Sequence, residues 1–307
     1  VAWQESSWRS IPGLAHERFL GAQRRALIER VGALDPNDLD GARLQGSYRA
    51  LARRLERGDP AALIEEVKAS GLQGRGGAYF AAALKWEACR SAADSPKYLV
   101  VNGEEGEPGI FKDRHLMEGD PHRLLEGILL AAFASGASRG FIYIHGEARL
   151  SARRMETALR SAESAGLLGE RILGSNFSFH LELRRGAGGF VLGEETALLE
   201  SIEGKRAMPR TRPPFPAESG LWGKPTVINN VETLAALPLI AERGAEWFRS
   251  LGGGRGTKLF GLSGHLARTG IAEVEMGVTL RHLIDEIGGG SPDGRPLMAA
   301  LVGGPWG

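Results

Sequence analysis

The sequence predicts an α/β fold: a parallel sheet covered by helices on both faces, followed by a small β-grasp module. Three observations lead there. Short apolar runs, Tyr98–Val101 and Phe141–Ile144, alternate with helical stretches, and continuous apolar runs of that length suit strands buried on both sides. Strand, helix, strand in that order favours parallel pairing. Past the glycine-rich linker Gly252-Gly-Gly-Arg-Gly256, the order strand, strand, helix, strand suits a β-grasp unit. At 307 residues the chain can bury a large core beside a small one. The expected division is an N-terminal arm and helix over 1–35, an α/β domain over 36–251 and the β-grasp module over 257–307.

Each element has a local cause. Residues 1–14 lack periodicity and read as an arm or a partner contact; a helical pattern runs from His16 to Val31. The helix from Pro60 is punctuated by Asp59 at its N-cap, an apolar stripe of Leu63, Ile64 and Val67, and Gly71 as its stop. Tyr98–Val101 is a buried strand that delivers an acidic loop. Asp120-Pro121 opens a helix to Ala137. Phe141–Ile144 is a second strand, Ala148–Ala165 a helix, and Phe177–Leu183 alternates as a strand does. Glu194-Glu195 opens a helix ending at Gly204. Residues 205–228, rich in proline and arginine, read as a long ordered loop, a kind that is usually functional. Asn229-Asn230 caps a helix to Ile240, and Ala245–Leu251 adds a short one. The last module reads as strands Lys258–Leu262 and Ile271–Met276, helix Thr279–Ile287 and strand Met298–Val302.

Composition excludes several classes. The net charge of +1 gives no basic excess for nucleic acid or anionic lipid, and Arg53, Arg54 and Arg57 read as a solvated helix face. The single cysteine, Cys89, cannot form an internal disulfide, a zinc finger or an iron–sulfur cluster. The longest apolar stretch, Ile128–Ala134, is far short of a membrane span. No signal peptide opens the chain, which starts at Val1 and stops at Gly307 inside a glycine-rich turn, as a processed or truncated piece would. The histidines show no ligand spacing, no G-x-S-x-G motif occurs, and no acid–base dyad stands out, so the chemistry is expected to belong to a bound cofactor.

Three segments carry candidate chemistry. Gly74-Arg75-Gly76-Gly77 is neither a Rossmann fingerprint nor a P-loop: Tyr79 stands where a third glycine would be needed, and a helix precedes it. It is either a plain turn or, with Lys85 further on and a helix over Ala78–Cys89, a phosphate-binding loop at a helix N-terminus. Phe80 and Tyr79 offer flat surface or belong to the core. Glu104, Glu105 and Glu107 follow a strand end, where open parallel sheets bind ligands. They suit a ribose or ribityl diol, with a cation second in rank and a solvated loop as the plain alternative. Glu194 and Glu195 follow Gly186, Gly188, Gly189 and Gly193, which allow a flat ligand close to the backbone; capping alone would also explain both glutamates. Phe215, among prolines, is a stacking surface or a core plug.

These residues lie in segments that resemble one family closely. GLQGRGGAYF with LKW, KYLVVNGEEGEPGIFKDR, DPHRLLEG, RRGAGGFVLGEETALLESIEGKRAMPRTRPPFPAESGLWGKPTVINNVETL and GTKLFGLSGH, spanning Gly71 to His265, are similar to the flavin-bearing 51 kDa subunit of respiratory complex I. They are equally similar to the diaphorase subunits of NAD-reducing hydrogenases and NAD-dependent formate dehydrogenases. The resemblance implies a Rossmann-like sheet with a ubiquitin-like, SLBB-type β-grasp module. It implies FMN as cofactor, NAD(H) as substrate, hydride transfer between them, and electrons passed singly to iron–sulfur partner subunits, a thioredoxin-like [2Fe–2S] subunit among them. It implies a cytoplasmic protein, peripheral on the inner membrane within a complex.

Carried over by position, the resemblance assigns Gly74, Arg75, Gly76, Lys85, Asn102, Glu104, Glu105, Gly193, Glu194, Asn229 and Asn230 to FMN. Gly77, Ala78, Phe80, Glu107, Phe190, Glu195 and Phe215 would face NADH, with Phe80 and Phe215 stacking on the adenine. Glu195 on the ribose hydroxyls would favour NADH over NADPH. A lysine and helix dipoles beside the flavin would favour its reduced, anionic form. No metal site is implied within this chain, because the family's helical [4Fe–4S] domain is absent from it. The departures are Tyr79 for a glycine, Glu104 for aspartate, Phe190 for tyrosine, Leu192 for cysteine and His145 for arginine. Tyr79 at the mouth and the missing electron exit leave a rival expectation, a scaffold subunit that kept the fold and the flavin but lost NADH access. A free-standing β-grasp binding protein accounts only for 257–307.

Overall fold

A computed structural model of the protein describes residues 14–304, so most of the expected 1–14 arm lies outside the described residues. The helices are α1 (Leu14–Gly21), α2 (Leu39–Leu44), α3 (Arg49–Arg57), α4 (Pro60–Ser70), α5 (Ala82–Ser91), α6 (Lys112–Gly119), α7 (Pro121–Ser135), α8 (Arg149–Ser164), α9 (Glu195–Ile202), α10 (Pro216–Ser219), α11 (Val231–Ala235), α12 (Leu237–Arg243) and α13 (Ala245–Arg249). Strands β1 (Tyr98–Gly103), β2 (Arg139–Ile144), β3 (His180–Arg185) and β4 (Thr226–Asn230) form one parallel sheet in the order β3-β2-β1-β4. Strands β5 (Thr257–Leu262) and β6 (Gly270–Glu275) pair antiparallel beside it.

The sheet is covered on both faces, which is why its central strands read as unbroken apolar runs. Alternate residues Leu99, Val101, Ile142, Ile144 and Val227 pack into the larger cluster with α4, α5, α7 and α11. The other face, Tyr98, Val100, Phe141, Tyr143 and Ile228, packs on Leu192, Leu198, Leu199 and Leu221. Helix α7 is the buried pillar: within Pro121–Ser135 only Phe133 escapes full burial. Gly127 lets α11 approach it, since a Cβ there would lie 1.9 Å from the Leu234 carbonyl oxygen. Among the described residues no helix is long and apolar enough to cross a membrane.

Four expectations need correction. The long loop over 205–228 yields β4, which pairs Tyr98 with Thr226 and Asn102 with Asn230. Only three β-branched residues, Thr226, Val227 and Ile228, precede the two asparagines, a strand signal short enough to be lost at the end of a proline-rich stretch. The helix expected over His16–Val31 stops at Gly21. Instead the amides of Ala26, Leu27 and Ile28 all donate to the buried carboxylate of Glu273 on β6, at 2.8–3.1 Å, and that capture replaces helical hydrogen bonds. The strand expected over Phe177–Leu183 begins at His180, while Phe177 packs edge-on against Phe133. In the last module, the helix is π-helical over His282–Ile287, and residues 298–302 form no strand, with Met298 and Leu301 largely exposed. A complete β-grasp sheet is therefore not formed among the described residues. The hairpin's small core includes Leu262, Ala272, Val274, Leu283 and Ile287, with Phe19 of α1 packed on it.

Glu273 also accepts the Thr257 hydroxyl at 2.6 Å, and burial raises its pKa. It ties the hairpin to the segment after α1. Glu273→Ala is expected to cost about 3 kcal/mol of unfolding free energy, because buried amides lose their acceptor. Urea denaturation checks this; a loss below about 1 kcal/mol would contradict the anchoring role.

Candidate functional site

The site is built where β1 and β4 end side by side. Their register sets Asn102 opposite Asn230; β1 runs out into a loop while β4 passes straight into α11, and such carboxyl ends are where open parallel sheets leave room for ligands. Asn102 reaches sideways: its amide nitrogen donates to the Gly193 carbonyl at 3.0 Å, fixing the 186–193 glycine loop to the sheet, while its oxygen accepts from the Glu104 amide at 3.1 Å. Asn230 caps α11 by accepting from the Glu232 amide at 3.0 Å and donates to Asp113 at 2.6 Å. The 74–77 loop lies against Asn230 so closely that a Cβ on Gly76 would come within 3.2 Å of the Asn230 Cβ.

That glycine loop is not the first turn of a helix, as expected from Ala78. The Gly74 amide bonds the Phe80 carbonyl at 2.8 Å, an isolated bridge joins Gln73 to Ala81, and α5 starts only at Ala82. Residues 75–79 thus project as a closed loop ahead of a helix whose N-cap, Ala81, supplies no side-chain hydrogen bond. Within it Gly77 adopts φ +119° and Tyr79 φ +53°. Tyr79 holds a backbone conformation that glycine takes without steric cost, and its ring lies 5.8 Å from Lys258 Nζ.

Other expected residues gather round this centre. Lys85 Nζ donates to Glu195 at 2.9 Å and to the Ile228 carbonyl at 3.4 Å, and sits 5.9 Å from the Phe80 ring. Glu194 is the N-cap of α9, accepting from the Thr196 and Ala197 amides at 2.8 Å each. Phe80, Phe190 and Phe215 expose half or more of their surface, 52%, 66% and 54%, so none is a core plug. Gly77 and Ala78 are exposed, and Glu107 is partly buried. The segment ending at Gly304 runs over Glu107, since a Cβ at Gly304 would fall 2.4 Å from the carboxylate.

Three expected side chains are engaged inside the protein instead. Arg75 is buried and donates to the Arg255 carbonyl at 2.5 Å, while its amide bonds Thr233 at 2.8 Å. Glu105 is buried and caps the start of α6 through the Asp113 and Arg114 amides, at 2.9 and 3.1 Å. Asn229 accepts from the Trp86 indole at 2.9 Å, pinning α5 to β4. These residues shape the site without offering it their side chains.

Electrostatics single out Glu104. Its side chain is fully buried, and neither carboxylate oxygen has a hydrogen-bond partner. Burial pushes its pKa up to about 7, opposed by Arg114. The imidazole of His145 lies 3.5 Å from one oxygen, and His145 Nδ1 faces the Glu147 amide at 3.3 Å. Glu105 is also raised to about 7, first by burial and then by Asp113. Beneath them, Lys112 bridges Asp113 at 2.7 Å and Glu232 at 3.0 Å; burial alone would lower its pKa, but those acids and Glu105 more than offset it. Cys89 is buried with its thiol raised to about 11, too high for a reactive thiolate. Among the described residues no group of three or more acidic, histidine or cysteine side chains could hold a metal ion.

Sequence reasoning did not single out Lys112 and Arg212. Lys112 was legible only as the base in a Phe-Lys-Asp-Arg run, and Arg212 as one of several arginines in the 205–228 stretch. Arg212 Nη1 donates to Glu195 at 2.7 Å, and its other terminal nitrogen lies 3.5 Å from Glu194.

Comparison with known proteins places the chain in a family. A model of the Nuo51 FMN-binding domain matches residues 67–239, from α4 through α12. The chain belongs to that family. It is 49% identical over 280 residues to an NADH-quinone oxidoreductase subunit of Rhizobium meliloti (strain 1021), covering 91% of this chain and 66% of that protein. It is 46% identical over 287 residues to the NADP-reducing hydrogenase subunit HndC of Solidesulfovibrio fructosivorans, covering 93% of this chain and 58% of that one. Among solved structures, a chain of the NAD⁺-reducing [NiFe]-hydrogenase in the air-oxidized state superposes with a TM-score of 0.72 at 37% identity, covering 87% of this chain and 43% of its own length. The chain thus spans less than two thirds of the length of these relatives.

Glu104 gives a test that needs no ligand. A carboxyl raised in the folded state stabilises below the ordinary carboxylate value of 4.5, and that contribution is lost as pH rises through about 7. Glu104→Gln is therefore expected to melt above the wild type at alkaline pH, with the gain vanishing near pH 4.5. Thermal melts across that range decide; a variant less stable than wild type at alkaline pH would contradict the buried, unpartnered carboxylate.

Proposed function

We propose that this chain is the flavoprotein part of an NADH:acceptor oxidoreductase, in which hydride passes between NAD(H) and FMN and electrons leave to iron–sulfur clusters of partner subunits, a thioredoxin-like [2Fe–2S] subunit among them. Residues 36–251 form the nucleotide-binding body in this reading. It works in the cytoplasm as a peripheral part of a larger redox complex, without nucleic acid and without inserting into the membrane.

The observation that carries the reading is the buried Glu104 carboxylate without a donor. A carboxylate left so inside a protein is costly, and a polyol hydroxyl entering from the cleft would supply what it lacks. Asn102, Gly193 and Asn230 stand round the same spot, so a ribityl chain fits the donor set. The uncapped start of α5 and the projecting 75–79 loop fit its phosphate. Lys85 would bring positive charge to the same side. When bound, FMN supplies a two-electron acceptor that can release its electrons one at a time. The chain's own task is to orient. Exposed Phe80, Phe190 and Phe215 offer flat surface on which an adenine and a nicotinamide could lie, and holding the donor carbon close is where acceleration should arise.

The relatives' names point to both nicotinamide coenzymes: NADH-quinone oxidoreductase in one, NADP-reducing hydrogenase in another. The scaffold alternative rests on Tyr79. Its ring lies beside Lys258 of the hairpin, while Phe80 keeps half its surface free, which supports an open slot.

Protein reconstituted with FMN is expected to bleach in the visible on anaerobic addition of NADH. A yellow protein that NADH leaves unbleached would overturn hydride transfer and favour the scaffold. In Lys85→Ala the flavin is expected to dissociate more readily, by about tenfold in Kd for one lost charge-assisted contact; full retention after dialysis would argue against that role.

A further inference from the structure

The acidic residue assigned to the adenosine ribose is not a free carboxylate. Lys85 Nζ holds one oxygen of Glu195 at 2.9 Å and Arg212 Nη1 holds the other at 2.7 Å. The neighbouring carboxylate, Glu194, is 3.5 Å from the second terminal nitrogen of Arg212 and is otherwise occupied in capping α9. Two carboxylates therefore face two cations, and the local charge is balanced. An unpaired glutamate would reject a 2′-phosphate by like-charge repulsion; a glutamate neutralised on both oxygens has little left to repel with.

Arg212 is also the member of the cluster best placed to move. Its side chain is 41% exposed, against 29% for Lys85 and 24% for Glu195. It belongs to the segment between α9 and α10, three residues before the exposed Phe215. The nearby Arg210 is not available for the same purpose, being held by Glu200, Glu203 and the Gly220 carbonyl. A guanidinium presents paired donors that match a phosphate.

We propose that Arg212 is the specificity-determining residue at the ribose end, and that it makes this chain accept 2′-phosphorylated as well as 2′-hydroxyl nicotinamide dinucleotides. With a 2′-hydroxyl present, Arg212 stays on Glu195. With a 2′-phosphate present, its guanidinium turns from Glu195 to the phosphate, and Lys85 keeps Glu195 neutralised. This rests on the nucleotide site proposed above and stands in place of the expectation that Glu195 on the ribose hydroxyls favours NADH over NADPH.

The test is calorimetric binding of ADP-ribose and of its 2′-phosphate, neither of which is redox-active, to the wild type and to Arg212→Gln and Arg212→Lys. The two wild-type Kd values are expected within about tenfold of each other. In Arg212→Gln their ratio is expected to move by at least about tenfold against the 2′-phosphate, with Arg212→Lys between. Wild-type affinity for the phosphate form is expected to weaken with added salt more than affinity for ADP-ribose does. A wild type that binds ADP-ribose but rejects the 2′-phosphate by more than about a hundredfold would overturn the proposal and leave the nucleotide site standing. So would an unchanged ratio in Arg212→Gln. A folded wild type that binds neither compound would overturn the nucleotide site itself.

Discussion

The pairing of β1 with β4 governs the rest of the structure. It sets Asn102 beside Asn230; Asn102 fixes the 186–193 loop through Gly193, and the 74–77 loop lies close against Asn230, tied by the Arg75 amide to Thr233 in the first turn of α11. Two loops more than 100 residues apart in the chain are thereby held at one sheet edge. A one-residue slip in β4 would exchange the faces of Val227 and Ile228 and part Asn230 from Asn102. The register is protected by the alternation of Val227 and Ile228 into opposite cores.

Beneath this edge, charge is arranged so that little of it is free. Carboxylates of the chain itself hold the starts of α6, α7 and α9, and Lys112 sits among Asp113 and Glu232. Such pairing satisfies buried charge at modest net gain in stability. Glu104 breaks the pattern. Burial raises its pKa and neither carboxylate oxygen has a partner within the described residues, the combination that sets functional groups apart from structural ones.

Much of this was legible in the sequence, for reasons that differ by element. Strands β1 and β2 announce themselves because burial on both faces makes them uninterrupted apolar runs. Helix α4 announces itself through Asp59, Pro60 and Gly71, each with its own local chemistry. The glycine and glutamate segments pointed to the site because those residue types have few other reasons to cluster. Strand β4 was hard to read because its β-branched run, Thr226–Ile228, is only three residues long and abuts two asparagines, the second of which caps α11; its partner lies 128 residues away in sequence. The early end of α1 was illegible because it depends on Glu273, some 246 residues onward. The capping role of Glu105, beside the unpartnered Glu104, could not be read from a run of like residues; it follows from where α6 begins. Arg212 was hidden by its setting, since an arginine among prolines gives no sign of which carboxylate it will meet.

The central claim is that this sheet edge binds one flavin mononucleotide per chain. Fluorescence titration of FMN tests it most directly, with the wild type compared with Asn230→Leu, which removes the contact between the edge and both α11 and Asp113. Saturable quenching at one FMN per chain is expected, with a weakening of about a hundredfold in the variant. A wild type that folds, melts cooperatively and leaves FMN fluorescence untouched would contradict it.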